Sequence, residues 1–455
     1  MDRGLFARGG TLLLGLAAAG LQAQSIALPA SDPVGLGRGG AGVAFGRSLE
    51  AATLNPALLV TLDERRSFYL AGGMDLEASQ LTLQSNQRTL YTSDRNRFMP
   101  AFGVAWHLGD RFAFGITGDT PFSRHLRVPL ESTTRFVGDQ LALRADRIQV
   151  QFGVKLSDRF SLGAGLGVAR LSYTFGSTVR AQVPLDPAQA ISATNPSQGL
   201  VETGIMGSAK GMAPSLSLGF RFAVNPRWTV GGAIQGPLKS SLSLDAGMDG
   251  RTASVYANDG YSAPAQGTAA AAAALLARVS AKGGAGDLQL PWKASLGVRQ
   301  RVNQLFTWEF DVRYLASSQF KTPTGPQLST PSGMVASPTQ PAEARNTSGV
   351  TLMGELSISK RWTARAAASL EQGWSSEATV TPLLGGSKTA AFSGGFGFRI
   401  WGGELIAGYQ FRQSKDVDSP TLDGAWSRLG YHTTGSTTRI EGMGHLYSLG
   451  FKTSF

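Results

Sequence analysis

From Phe306 to Tyr314 the chain alternates without a break. Phe306, Trp308, Phe310, Val312 and Tyr314 are apolar or aromatic, whereas Thr307, Glu309, Asp311 and Arg313 are polar or charged. Successive side chains of a β-strand point to opposite faces, so this stretch sets one face for hydrocarbon and the other for water. The same period of two predicts strands over 66–76, 99–108, 111–120, 141–156, 159–175, 212–223, 227–244, 289–301, 305–320, 347–360, 361–373, 388–400, 403–414 and 438–455. That makes about fourteen, an even number, as single-chain bacterial membrane barrels have.

A soluble β-sandwich would alternate in the same way. The connections separate the two readings. Tight turns at Gly109-Asp110, Ser157-Asp158, Asn225-Pro226, Asn303-Gln304, Ser359-Lys360 and Gly402-Gly403 take turns with long polar links near 77–98, 121–140, 176–211, 245–288, 321–346, 374–387 and 415–437. Short periplasmic turns opposite long outer loops belong to a membrane barrel. Phe112, Phe160, Trp228, Phe306 and Trp362 each follow a tight turn, where an interfacial aromatic girdle sits. The expected fold is all-β: a transmembrane antiparallel β-barrel with an N-terminal plug in its lumen.

The plug is read from Gly35–Leu59, which holds Gly35, Gly37, Gly39, Gly40, Gly42 and Gly46 and closes on Asn55-Pro56-Ala57. So short and glycine-rich a segment cannot bury a core of its own and needs walls around it. Ahead of it, Arg3 and Arg8 precede the apolar run 11–21, too short to span a bilayer at ~20 residues but suited to a signal peptide. The expected organisation is therefore a signal peptide over 1–23, a plug or hatch over 24–65 and the barrel over 66–455.

Composition then removes several function classes. With no cysteine and four scattered histidines, disulfides, thiolate metal sites and a histidine metal cluster are not expected. The net charge of +11 comes from singly spaced Arg and Lys rather than basic runs, which argues against nucleic acid and for a positive lumen. Gly35-x-Gly37-x-x-Gly40 matches the dinucleotide fingerprint formally, but no strand precedes it, so it is rejected. His125 and His432 fall in loops near plentiful Ser and Asp, yet no spacing singles out a catalytic constellation, and no enzyme activity or cofactor is expected.

The opening Gly35-Leu-Gly-Arg-Gly-Gly, then Asn55-Pro56-Ala57-Leu58 and the first strand, resembles the FadL-type outer-membrane transporters of long-chain fatty acids and aromatic hydrocarbons. Leu288-Gln-Leu-Pro291-Trp292, Leu296-Gly-Val298 and Tyr314-Leu-Ala-Ser-Ser-Gln-Phe320 are similar to that family's central hairpin, and so is the closing strand that ends on Phe455. The resemblance implies a fourteen-stranded barrel blocked by its hatch. It further implies capture of ligand outside, a lumenal pocket and sideways release at a kinked third strand. It also implies docking of the last strand on the barrel-assembly machinery.

Candidate residues follow. Gly35, Gly37, Arg38, Asn55, Pro56 and Ala57 are assigned to the hatch or gate, although Asn-Pro-Ala by itself specifies only a turn. Gly118 and Pro121 are assigned to the kink and lateral exit, although a proline there would equally end the strand at its loop. In the two longest loops Leu200, Ile205 and Met206, with Leu275 and Leu276 of the Ala-rich helix former, could line an external apolar groove or simply pack on one another. By parity Lys155, Arg221, Lys293, Arg299, Arg313, Arg365, Arg399 and Arg412 face the lumen with Glu309, Asp311, Glu355, Glu371 and Glu404. The default there is an ion-pair ladder; Arg299, Arg313, Arg365 and Arg399 are the candidates for a carboxylate headgroup. The expected function is passive uptake of hydrophobic molecules across the outer membrane by a monomer in contact with membrane lipid and lipopolysaccharide. The alternatives are a non-transporting surface barrel (an adhesin or scaffold) and a hydrophilic diffusion porin.

Overall fold

A computed structural model describes residues 26–45, 48–82, 88–92, 97–127, 138–184, 198–257, 277–331, 333–336, 344–375, 383, 386–418 and 439–454. Fourteen strands form the wall: β1 (Arg66–Thr82), β2 (Arg97–His107), β3 (Phe112–Arg127), β4 (Gln140–Lys155), β5 (Phe160–Pro184), β6 (Gln198–Ala223), β7 (Trp228–Gln235), β8 (Lys293–Arg301), β9 (Phe306–Leu315), β10 (Thr347–Ser357), β11 (Trp362–Glu371), β12 (Thr389–Ile400), β13 (Gly403–Asp418) and β14 (Arg439–Ser454). Each pairs antiparallel with its sequence neighbours, and β14 returns to β1 from Ser67↔Ser454 to Thr82↔Arg439, closing the cylinder. Closure is forced, since an open sheet edge in hydrocarbon would leave backbone N–H and C=O groups without partners.

The faces are inverted relative to a soluble protein. Leu166, Phe396 and Leu449 are exposed on the outside, while Glu309, Gln151 and Thr351 are fully buried inside. The turns at one end are fixed by local chemistry. Asn303 Oδ1 accepts from the Leu305 and Phe306 amides, Asn225 Oδ1 does the same for Arg227 and Trp228, and the Trp401-Gly402 turn takes positive φ at both residues. Just above these turns Phe112, Phe160, Trp228, Phe306 and Trp362 lie on the outward side, with Trp228 and Trp308 stacked edge to face at 5.7 Å.

At the other end the structure departs from the expected loops. β5 and β6 pair without interruption from Phe160↔Phe222 to Pro184↔Gln198, so much of 176–211 is a ribbon standing above the wall. Asp245–Ala257 adds a third strand to it. Their Gly, Ser and Thr content carries no lipid-facing apolar row, which is why the periodicity stopped short. The predicted strand 227–244 breaks at Gly236-Pro237. Beyond that point Leu238–Ser243 pairs with Ala285–Leu290 instead of extending the wall. Leu238, Leu242, Leu244, Leu288 and Leu290 pack with Phe122, Leu141, Leu143, Leu171 and Phe175 of β3–β5 into an apolar cluster.

The described residues from Ile26 to Phe45 and from Ser48 to Leu62 run inside the cylinder and are almost all buried. It contains a short helix Pro33–Gly37 and 3₁₀ turns at Leu49–Thr53 and Pro56–Thr61.

Phe396, on the outward face of β12 near mid-height, tests the orientation. Phe396→Arg is expected to destabilise the barrel in lipid vesicles by about 2–4 kcal/mol, measured by denaturant unfolding. A cost near zero would mean that this face does not meet hydrocarbon.

Candidate functional site

The hatch is tethered by its backbone. Asp311 Oδ2 accepts from the Gly42 and Val43 amides at 3.0 and 3.3 Å, and Glu309 Oε1 accepts from the Ala44 amide at 2.7 Å. Both carboxylates come from alternate positions of β9, so the polar stripe legible in the sequence is what grips the hatch. Gly39 and Gly40 in this turn have φ of +64° and +79°, a region closed to most side chains. Arg38, 2% exposed, donates to Glu355 Oε2 at 2.7 Å and lies over the Phe45 ring at 3.9 Å. Glu355 also binds Arg365 at 2.8 Å, and Glu404 links Arg365 to Lys452. Asp32 caps the short helix by accepting from the Gly35 amide at 2.7 Å; burial, with Glu50 nearby, pushes its carboxyl up to about 6.

Asn55 is fully buried. Its Nδ2 donates to the Val43 and Phe220 carbonyls at 2.7 and 2.9 Å, and its Oδ1 accepts from the Ala57 amide at 3.0 Å. The wall has made room for it. A Cβ on Gly219 would stand 2.0 Å from Asn55 Oδ1, and one on Gly163 would stand 2.3 Å from the Pro56 carbonyl carbon. Asn55-Pro56-Ala57 thus packs on β5 and β6. On β3 the contact is made by Leu59, against Gly115.

The kink itself is an opening in the ladder. β2 and β3 pair only from His107↔Ala113 to Phe102↔Gly118. Above that, β2 stays on β1 up to Asp75↔Arg97, while β3 stays on β4 with a register break between Asp119 and Phe122. Pro121 therefore does not end the strand; β3 runs on to Arg127 with one edge turned away from β2. The chain ahead of the hatch takes that edge. The Leu28 amide donates to the Pro121 carbonyl at 3.0 Å, the Ser123 amide donates to the Ile26 carbonyl at 3.2 Å, and Ser31 Oγ accepts from the Thr120 amide. Ala27 and Phe122 form an antiparallel bridge, and Leu28 packs on Met99 of β2. Nothing in the sequence marked Ile26–Ser31 beyond a short alternation before Pro29.

The inner side of the same segment bounds a cavity. Ala27, Leu28 and Pro29 line it together with Gln235, Lys293, Arg313, Glu371 and Arg412. Arg313 is the only one of the four named carboxylate candidates here, and it also donates to Thr351 Oγ1. Arg365 is committed to Glu355, Arg299 stacks on Phe45 at 4.3 Å, and Arg399 lines the opposite, turn-side mouth. Lys293 and Arg412, foreseen only as lumen residues, join Arg313 at the cavity, with Arg412 bound to Asp75 at 3.0 Å.

Among the described residues, the loop candidates Ile205 and Met206 do not share a surface. Ile205 is buried and Met206 exposed on opposite faces of β6, as neighbours in a strand must be. Leu200 pairs with Tyr256 in the ribbon, and Leu275 and Leu276 lie outside the described residues.

Asn55→Ala removes the side-chain donations to the Val43 and Phe220 carbonyls and the acceptor of the Ala57 amide, all in the interior. The expected loosening of the hatch is about 1–3 kcal/mol. In planar bilayers this should appear as intermittent conductance absent from the unmodified chain. A variant as silent as the parent would contradict the assigned role of Asn55.

These features have counterparts among known proteins. The model of the outer membrane protein transport family (OMPP1/FadL/TodX) matches residues 14–455. No curated protein sequence matches the chain. Among solved structures, a Pseudomonas aeruginosa FadL homologue is similar over 95% of this chain and 100% of that one, with TM-score 0.72 and 18% identity. The Ralstonia pickettii toluene transporter TbuX is similar over 94% and 99%, with TM-score 0.59 and 16% identity. The P. putida toluene transporter TodX is similar over 89% and 94%, with TM-score 0.59 and 12% identity. Those likenesses concern the fold, and the family match concerns the sequence almost end to end. This chain belongs to the OMPP1/FadL/TodX family of outer membrane transport proteins, a family of transporters and not of enzymes, and its place is the outer membrane.

Proposed function

We propose that the protein admits hydrophobic molecules, long-chain fatty acids or similar amphiphiles, from the cell exterior and releases them sideways into the membrane between β2 and β3. The observation that carries this reading is the double role of Ile26–Ser31. One side of the segment supplies the ladder bonds missing at the β3 edge, and its other side lines the lumenal cavity. Withdrawal of this one segment would join cavity and seam. Its bonds to β3 are few, so the cost of withdrawal is modest for a backbone strand. Lys293, Arg313 and Arg412 at the cavity suit an amphiphile with a carboxylate, and the apolar cluster above them suits its tail. Nothing in this cycle calls for an energy source; a gradient and consumption within the cell would suffice.

Cleavage after Ala23 would put the mature N-terminus two residues before Ile26 and leave the segment free to move. The Asn-Pro-Ala turn would then act as the fixed end about which the hatch shifts.

The test uses the absence of cysteine in the chain. Ala27 and Phe122 face each other as a non-hydrogen-bonded antiparallel pair, whose close Cα spacing accepts a disulfide. Cells that depend on Ala27→Cys/Phe122→Cys for uptake of a labelled fatty acid should lose uptake when the pair is oxidised and regain it on reduction. Undiminished uptake by the oxidised protein would contradict the route.

A further inference from the structure

The outward face of β4–β6 changes character at one level. Ile148, Phe152, Leu166, Val168, Met212 and Leu216 make an exposed apolar stripe. Immediately above it the same face carries Asp146 and Arg144 on β4, Arg170 on β5 and Lys210 on β6. Register brings these into one patch: Asp146 pairs with Arg170, and Ser172 sits between Arg144 and Lys210. Arg170 stands ten residues beyond Phe160 at the aromatic girdle. With a strand tilted by about 40° that is a climb of about 25 Å, the height of the apolar band.

The row is not what any strand shows on leaving the membrane. Eight to eleven residues from the turn end, the outward side chains of β1, β9 and β11 are Leu76, Tyr314 and Leu370, and those of β14 are His445 and Met443. Nor is it an internal ion-pair network. Arg144 binds Asp146 at 2.7 Å and donates to the Phe98 carbonyl at 2.9 Å across the seam. Arg170 and Lys210 are exposed and make no ion pair with any described residue. Asp245, paired with Ser208, is the next carboxylate on this face, so three cations stand against two carboxylates and the patch stays positive, at the level where the phosphates of outer-leaflet lipids lie and directly above a surface fit for acyl chains.

We infer that Arg144, Arg170 and Lys210 form a binding site for the phosphate of an outer-leaflet glycolipid, with its acyl chains lying along Leu166, Val168, Met212 and Leu216. Phosphate monoesters accept several charge-assisted bonds at once, and long basic side chains on neighbouring strands can converge on one such group. Bound there, the lipid flanks the seam between β2 and β3. The site does not depend on the transport route and would stand if that route failed.

The full chain purified in detergent is to be examined by native mass spectrometry with bis-phosphorylated lipid A, the same lipid with its phosphates removed, and inorganic phosphate. A one-to-one adduct with the phosphorylated lipid is expected, weakened roughly thirtyfold in Arg170→Ala/Lys210→Ala. The dephosphorylated lipid should bind weakly to both proteins. Arg66→Ala, which removes an exposed charge at the turn end of β1, should bind as the parent does. Should the double variant not fold, Lys210→Gln and the pair of lipids on the parent chain still give the reading. Equal binding of the two lipids, or undiminished binding by the folded variants, would overturn the proposal. Displacement of the lipid by millimolar inorganic phosphate would also overturn it, because the site would then serve a free anion.

Discussion

Hydrocarbon gives no hydrogen bonds, so each N–H and C=O within the membrane must find its partner in the protein. That constraint closes fourteen strands into a cylinder and makes any break in the ladder conspicuous. Above Phe102↔Gly118 the wall has such a break. It is covered from inside by the Leu28 and Ile26 backbone and crossed outside by Arg144, which reaches the Phe98 carbonyl. The seam is thus a place where strand-to-strand bonds have been exchanged for bonds to a short, separable segment. Pro121 contributes because it cannot donate to a ladder, and Phe102 fills the space over Gly118 where a Cβ would collide.

The hatch obeys a related rule. A glycine-rich segment without a core is held by groups that the wall can supply only because its inner face is polar. Asp311 and Glu309 take the amides of Gly42–Ala44, Glu355 takes Arg38, and Asn55 donates both to the segment's own carbonyl at Val43 and to the wall's at Phe220 while accepting from the Ala57 amide. Buried charges are tolerable when paired and hydrogen-bonded, and here one charged network serves both the wall and the hatch. The result is a lumen filled at its turn end by specific polar contacts and toward the other end by apolar side chains.

Much of this was legible in the sequence because lipid and water impose a period of two on every spanning strand. Phe306–Tyr314 gave both the outward aromatic row and, at Glu309 and Asp311, the inward groups that hold the hatch. Gly118 and Pro121 marked the weak point in β3, though not that the strand continues past it. What escaped detection depends on distance in space and not along the chain. Asn55-Pro56-Ala57 meets β5 and β6 because Gly163 and Gly219 leave room there, and no local pattern links 55 to 219. The extension of β5 and β6 above the membrane lacks the apolar row on which periodicity relies. Ile26–Ser31 is too short to announce itself as a strand, and its partner edge exists only because β2 and β3 part.

The proposed route requires Ile26–Ser31 to cover the seam when the protein is empty and to leave it when ligand enters. Amide hydrogen exchange at Leu28 and Ser123, the donors of the two backbone-to-backbone bonds between that segment and β3, measures this most directly. Slow exchange without ligand and faster exchange at both positions on adding a long-chain fatty acid is the predicted result. Exchange that is already fast without ligand, or unchanged when ligand is bound, would contradict it.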